Sequence, residues 1–189
     1  MKNLKFSILA AATIIFATSC SKNDVPVPVN EEEVITTVIT TLTGGGATVT
    51  LTSKDADGDG PTAPVVSQVG VVKKATAYTG TVKFLNDLKT PADDFTVEVL
   101  AEGVDHQVFY QAPAGLGAFA YADTDLNGKP IGLKFTLNTS TTANAIAQDL
   151  TVILKHLPAK SAADVAGGSI TNAGGATDAS VTYPVVLVN

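Results

Sequence analysis

The stretch "VITTVITTLTGGGATVTLTS" (34–53) decides the fold class. Its opening, "VITTVITTL" (34–42), repeats every four residues as a helix face would, but all of its residues except the leucine are β-branched. Because β-branched residues are stiff and poor helix formers, the segment is predicted to be a strand. Three glycines then turn the chain, and apolar residues alternate with threonines in "ATVTLTS" (47–53). The stretch therefore predicts a β-hairpin with one buried and one wet face.

The same alternation recurs along the chain, interrupted every ten or so residues by Gly, Asn, Asp or Pro. This pattern predicts many short strands rather than βαβ units. About eight strands in one domain favour an all-β, antiparallel two-sheet sandwich of immunoglobulin-like architecture, with an up-and-down β-barrel as the alternative. Pro184 removes a backbone donor and predicts an edge strand or a bulge there. The other predicted strands are "YTGTVKFL" (78–85), "QVFYQ" (107–111), "GAFAYA" (117–122), "LKFTL" (133–137), "DLTVILKH" (149–156) and "SVTYPVVLV" (180–188).

One segment, "TPADDFTVEVLAEG" (90–103), has the features of a helix. Thr90 is placed to cap its start, Pro91 suits the first helical position and Gly103 suits the stop. Its apolar residues also alternate as in a strand, so we expect at most one short helix.

The first twenty residues, "MKNLKFSILAAATIIFATSC" (1–20), have the three-part layout of a secretory signal. Two lysines precede an apolar run of about twelve residues, which is shorter than the roughly twenty needed to span a bilayer as a helix. Small residues then lead to Cys20. We expect residues 1–19 to be a cleaved signal peptide.

The ending "ATSC" (17–20) resembles the lipobox of bacterial lipoproteins, in which the cysteine receives a diacylglyceryl group and its new amino terminus an acyl chain such as palmitate. Cys20 is the only cysteine, so it cannot form an internal disulfide, and covalent lipid accounts for its presence. A chance cysteine behind an ordinary signal peptide is the alternative. We expect residues 20–32 to be the acylated cysteine with an extended polar tether, and residues 33–189 to be a single β-sandwich domain.

The chain is acidic, with 18 Asp and Glu against 12 basic residues and a net charge of −6. All the basic residues are lysines. A chain of this charge without guanidinium groups to grip phosphates is not expected to bind nucleic acid.

Two acidic loops, "KDADGDGP" (54–61) and "ADTDLNGKP" (122–130), share the spacing of the first half of an EF-hand calcium loop. The second half is missing, because Val66 and Lys134 stand where a bidentate glutamate belongs. Shorter calcium loops can be completed by backbone carbonyls, and a solvated turn is the alternative interpretation. The predicted calcium ligands are Asp55, Asp57 and Asp59 in the first loop and Asp123, Asp125 and Asn127 in the second.

The two histidines, His106 and His156, do not have zinc-motif spacing. His156 continues the alternating apolar face of its strand, so one interpretation is a histidine that closes the end of the core. If the fold brought the two together with an acid such as Asp105, a zinc or copper site would form. That site would suit a transition-metal carrier, which is the alternative function.

Catalytic motifs are sparse. The sequence has no G-x-S-x-G elbow, no H-E-x-x-H helix and no phosphate-binding loop, so we expect a protein that is not an enzyme. A hydrolase is a further alternative function, and it would need a cleft with convergent polar groups. Candidates for an exposed aromatic binding patch are Phe109, Tyr110, Phe119 and Tyr121.

Six stretches of the chain carry a resemblance to a known family: "CSKND" (20–24), "VTLTSKDADGDGPTAPVV" (49–66), "YTGTVKFLND" (78–87), "DHQVFYQ" (105–111), "LKHLPAKS" (154–161) and "ITNAGGATD" (170–178). Together they resemble a family of small outer-membrane lipoproteins from Bacteroidota that has no assigned activity. Some members carry the label "type 1 periplasmic binding fold superfamily", which conflicts with this chain because that fold needs alternating βαβ units.

The resemblance implies a lipid-anchored binding or interaction module at the outer membrane. The acidic residue after Cys20 in "CSKND" is similar to signals that send such lipoproteins to the cell surface. The family often occurs with envelope receptors, which implies an accessory role in uptake, with an envelope receptor or another surface protein as partner.

Overall fold

The computed structural model describes residues 34–58, 60–142 and 146–189. Within them the chain forms twelve strands and one short helix. The strands are β1 Thr37–Gly44, β2 Ala47–Lys54, β3 Val65–Val69, β4 Val72–Lys73, β5 Ala77–Asn86, β6 Asp93–Asp94, β7 His106–Gln111, β8 Gly117–Tyr121, β9 Lys134–Thr139, β10 Gln148–His156, β11 Ala176–Val185 and β12 Leu187–Val188; the helix α1 is Phe95–Ala101.

The opening stretch forms the predicted hairpin of β1 and β2. The strands pair antiparallel from Thr37 opposite Lys54 to Gly44 opposite Ala47. Gly45 and Gly46 make the turn with φ of 58° and 77°, the positive values that a two-residue hairpin turn requires. This hairpin lies within a seven-stranded antiparallel sheet of order β3-β2-β1-β5-β9-β8, to which β6 adds beside β5.

A second antiparallel sheet has the order β11-β10-β7, and β12 pairs in parallel with β4. The described sheets do not close into a barrel, so the all-β sandwich prediction is confirmed over the alternative. β11 pairs with β10 alone and lies at the sheet edge, as Pro184 predicts.

The core lies between the two main sheets and joins side chains of both. The Tyr183 hydroxyl of β11 donates to the Val38 carbonyl of β1 at 2.9 Å and fastens one sheet to the other. The outer face of β7 is covered as well, because Phe109 packs with Val165 and Ala173 of the segment between β10 and β11. β7 is therefore buried on both faces.

The helix is shorter than the predicted span of 90–103. The Asp94 side chain accepts a hydrogen bond from the Thr96 N–H and caps the helix there, four residues after Thr90. Asp93 and Asp94 pair with the end of β5 instead of entering the helix. Among the described residues, no helix has the length and apolar character needed to cross a bilayer.

Candidate metal centre

His106 and His156 lie opposite each other at one end of the three-stranded sheet. His106 begins β7, His156 ends β10, and the two are direct partners in the antiparallel register. The inward face of β7 continues through Val108, and that of β10 through Leu154, both fully buried. Strand alternation therefore puts both imidazoles at the rim of the main core.

The two imidazole rings stack, with their centroids 4.7 Å apart and their planes inclined by 9°. His106 is 1% exposed, whereas His156 is half-buried. The pair therefore has one interior ring and one ring that reaches toward solvent.

Asp178 joins the pair because of a β-bulge in β11. The register runs regularly to Leu154 opposite Ala179 and then resumes with Lys155 opposite Thr177, so Asp178 has no partner on β10. Regular alternation from Tyr183 and Ala179 would send the side chain at position 178 outward. The extra residue reverses that direction, an effect typical of bulges beside functional sites.

The carboxylate of Asp178 points at the histidines. Its Oδ2 lies 3.9 Å from His106 Nε2, and the side chain is only 10% exposed. This buried oxygen has no hydrogen-bond partner among the described residues. One ligand atom from each of the three residues lies within 4.8 Å of the other two. A buried carboxylate oxygen without a donor is costly unless a cation or proton serves it.

A backbone contact orients His106. Its Nδ1 lies 3.2 Å from the Glu102 carbonyl oxygen. Because a carbonyl can only accept, Nδ1 carries a proton in this contact, and in the neutral ring the Nε2 lone pair is then available on the side of Asp178. Metal-bound histidines commonly use their second nitrogen in this way.

Burial raises the pKa of Asp178 above its ordinary value of 3.8, while positive charge on His156, His106 and Lys155 opposes that rise. When the His106 ring is neutral with its proton on Nδ1, its Nε2 lone pair and the Asp178 oxygen are two acceptors that face each other in a desolvated place. A proton or a metal ion between them removes the repulsion. Two imidazoles and one carboxylate are a donor set that zinc and copper(II) use.

The bonds of zinc to nitrogen and oxygen are about 2.0–2.2 Å long, so tetrahedral ligand atoms stand about 3.3 Å apart. The three donor atoms lie within 4.8 Å of one another and would move together by roughly 1 Å to reach that spacing. One imidazole would also tilt out of the 9° stack, because a metal ion lies in the plane of each ring that binds it. Rotation about the side-chain bonds of the half-buried His156 and of Asp178 at the strand edge would supply both movements.

The carboxylates of the first acidic loop stabilise its turn by accepting hydrogen bonds from backbone N–H groups. Asp55 accepts a hydrogen bond from the Asp57 N–H at 3.2 Å, and Asp57 accepts one from the Thr62 N–H at the same distance. Hydrogen bonding to Thr62 keeps the pKa of Asp57 below its ordinary value. Asp59, the third predicted calcium ligand, lies outside the described residues.

In the second acidic loop, the aspartates also accept hydrogen bonds from protein groups. Asp123 accepts from the backbone N–H groups of Gly132 at 2.7 Å and Lys134 at 2.9 Å. Asp125 accepts from the N–H groups of Asn127 and Lys129. Asn127 itself is exposed at the loop tip.

A buried ion pair ties this loop to the segment after β10. Lys160 Nζ lies 2.9 Å from Asp125 Oδ2 and donates to the carbonyls of Gly103 and Pro130. Burial would raise the pKa of Asp125, but bonds from Lys160 and the loop backbone outweigh it and hold that pKa below its ordinary value. A calcium ion here would compete with the ammonium group.

Three of the four candidate aromatic residues line a cavity of about 190 Å³. Tyr110, Phe119 and Tyr121 are half-buried around it, whereas Phe109 is fully buried in the second core. The rings of Tyr110 and Phe119 stack with centroids 5.3 Å apart. The Tyr110 hydroxyl donates to the Gly132 carbonyl, and burial raises its pKa well above the ordinary value, so the group is neutral. The remaining lining residues are small: Ala112, Gly117, Ala120, Gly167 and Gly168.

Sequence reasoning singled out both histidines but paired them with Asp105. The acid beside the rings is Asp178, which lies 73 residues after Asp105. Asp178 is within the stretch "ITNAGGATD" (170–178), where two glycines before the aspartate were the one local sign of an irregular strand. Cys20, the predicted lipid attachment site, lies outside the described residues.

No protein-family model, curated protein or solved structure matches this chain.

Proposed function

We propose that this protein binds a divalent transition-metal ion, zinc or copper(II), through His106, His156 and Asp178. The observation that carries this proposal is the buried Asp178 Oδ2, which has no hydrogen-bond partner among the described residues and lies 3.9 Å from His106 Nε2. A metal ion satisfies both groups at once. The donor set disfavours calcium and magnesium at this place, because both prefer shells made of oxygen.

The cellular setting of the proposal is a lipid anchor at the outer membrane, on the cell surface. The signal-like residues 1–19 and the lipobox-like ending at Cys20 support it. In that setting the domain holds metal outside the cell for an envelope uptake receptor, as a binding protein rather than a catalyst. Palmitate labelling of cells that make wild-type protein or Cys20→Ala tests the anchor, and equal label in both would contradict it.

The metal proposal is tested by calorimetric titration of the mature chain with zinc and with copper(II). We expect one ion per chain for the wild type. His156→Asn and Asp178→Asn each remove one ligand, so we expect each to weaken binding by 10-fold or more, of the order seen when metal-site groups are changed. Asp149→Asn, an exposed acid on the same strand as His156, is the matched control. Wild-type affinity in both ligand variants would overturn the proposal.

A second candidate function rests on the aromatic cavity. Its volume of about 190 Å³ suits a molecule of one ring, and its lining carries no charged side chain. We infer that such a ligand would be small and uncharged, which fits a binding module. Saturation-transfer NMR with glucose, phenol and indole tests this, with Ala112→Phe to fill the cavity. Equal transfer to wild type and variant would contradict it.

A further inference from the structure

Lys155 lies next to His156 on β10 and reaches across to β11. Its Nζ donates to the Gly175 carbonyl at 2.9 Å and to the Thr177 hydroxyl at 3.0 Å. Thr177 directly precedes Asp178 and is the register partner of Lys155, and Gly175 lies two residues before Thr177. One ammonium group therefore holds the chain on the N-terminal side of the bulge.

The chain also makes a close backbone approach at this point. Gly175 has φ of +67°, and a Cβ built on it would lie 2.3 Å from the His156 carbonyl oxygen. The close approach of Gly175 to the His156 carbonyl thus sets the backbone path into the bulge. The hydrogen bonds of the Lys155 ammonium group hold the same segment through a side chain. Asp178 itself has no backbone register partner, so its direction depends on these neighbours.

We propose that Lys155 is a positioning residue of the metal centre, which holds the β11 bulge so that the Asp178 carboxylate faces His106 and His156. This inference rests on the proposed metal function. Lys155 is not one of the proposed ligands; it acts through its hydrogen bonds to the Thr177 hydroxyl and the Gly175 carbonyl. Groups in this position typically change metal affinity by about 10–100-fold when removed.

The test compares Lys155→Met, Lys155→Arg and Thr177→Val with the wild type by zinc and copper(II) titration of the mature chain. We expect a 10-fold or greater loss of affinity for Lys155→Met, and recovery of most of it in Lys155→Arg, which keeps the charge and the donors. Thr177→Val removes one acceptor and should give a smaller loss. Lys83→Met, an exposed lysine on β5 of the other sheet, is the matched control.

A spectroscopic measurement separates positioning from a general loss of stability. The electron paramagnetic resonance spectrum of the copper(II)-loaded protein reports which atoms bind the ion. We expect the Lys155→Met spectrum to move toward that of Asp178→Asn, while the Lys83→Met spectrum stays that of wild type. Wild-type affinity and spectrum in Lys155→Met would overturn the positioning role alone. If the wild type binds neither metal, the proposed function and this inference both fail.

Discussion

His106 and His156 are register partners on neighbouring antiparallel strands, and their rings stack with centroids 4.7 Å apart. The pairing sets the two imidazoles side by side at a strand end, where the bulge in the third strand adds Asp178. The three ligand candidates therefore lie in a row across one sheet. Their relative positions depend on strand register, so substitutions that shift the register should change the affinity for the metal ion.

Asp178→Asn should leave the metal-free protein as stable as wild type at pH 7, or more stable. The folded-state pKa of Asp178 is raised above 3.8, so its stabilising contribution is present below that pH and is lost as pH rises through the folded value. Asparagine resembles the protonated form and keeps that contribution at neutral pH. Urea unfolding at pH 7 and pH 3.5, with metal chelated, measures the difference.

The pH trend provides the check on this prediction. The advantage of Asp178→Asn should shrink as pH falls from the raised folded-state pKa toward 3.8, and it should be absent well below 3.8, where the aspartate is protonated in both the folded and the unfolded state. A variant that is clearly less stable than wild type at pH 7 would contradict the argument. The same variant should lose the metal-induced rise in melting temperature, because it lacks a ligand.

Gly175→Ala should destabilise the protein more than Gly174→Ala. Both glycines have positive φ, which costs an alanine about 1–2 kcal/mol. At Gly174 the added Cβ meets nothing within 4 Å, whereas at Gly175 it meets the His156 carbonyl oxygen at 2.3 Å. The backbone must shift in Gly175→Ala, and metal affinity should fall with stability. Thermal unfolding of both variants gives the comparison, and equal losses would argue against the close approach.

Lys160→Met should cost about 3–5 kcal/mol of unfolding free energy, because it leaves the Asp125 carboxylate buried without its cation. The Lys160 and Asp125 side chains are 6% and 1% exposed. The control is Lys89→Met, whose ion pair with Asp93 is solvent-exposed and should contribute less than about 1 kcal/mol. Chemical denaturation measures both, and a loss in Lys160→Met no larger than the control would contradict the buried pair.

Calcium should raise the melting temperature through the first acidic loop if Asp55, Asp57 and Asp59 bind it. Binding to the folded state alone stabilises a protein by mass action. The melt is compared in excess calcium and in chelator, for wild type and Asp57→Ala. An unchanged wild-type midpoint, with Asp57→Ala behaving as wild type, would remove the calcium loop. We expect no calcium-induced rise in melting temperature from the second acidic loop, because Lys160 already supplies the positive charge beside Asp125.

Alternation of apolar and polar residues was enough to predict the all-β class and the strands. In "ATVTLTS" (47–53) the apolar residues Val49 and Leu51 are buried, as the two-residue period requires. The strands that escaped prediction had other causes. β3 (Val65–Val69) is exposed at every residue and has no period to detect, and β4 and β6 have only two residues each. β12 (Leu187–Val188) lies within the predicted strand 180–188, but it pairs with β4 as a separate strand.

Of the three candidate metal ligands, the sequence predicted His106 and His156 but not Asp178. Regular alternation carries His156 onto the inner face behind Leu154, but the pairing of His156 with His106 depends on long-range register. Asp178 is inward only because a bulge breaks the period, and alternation counted back from Tyr183 gives the wrong face. The predicted helix start at Thr90 was wrong, because a second capping residue, Asp94, lies four residues later and caps the helix in the structure. Local patterns predicted elements, and irregularities within elements decided the site.

The bulge in β11 also has an evolutionary consequence. A single-codon deletion at the unpaired position would restore an ordinary ladder with β10, with the sheet retained and the carboxylate gone from the row. An insertion of one codon in a regular ancestor would create it. Gain and loss of this site are thus each one mutational event from an intact sandwich, so the site can come and go among descendants of one scaffold while their strands remain aligned.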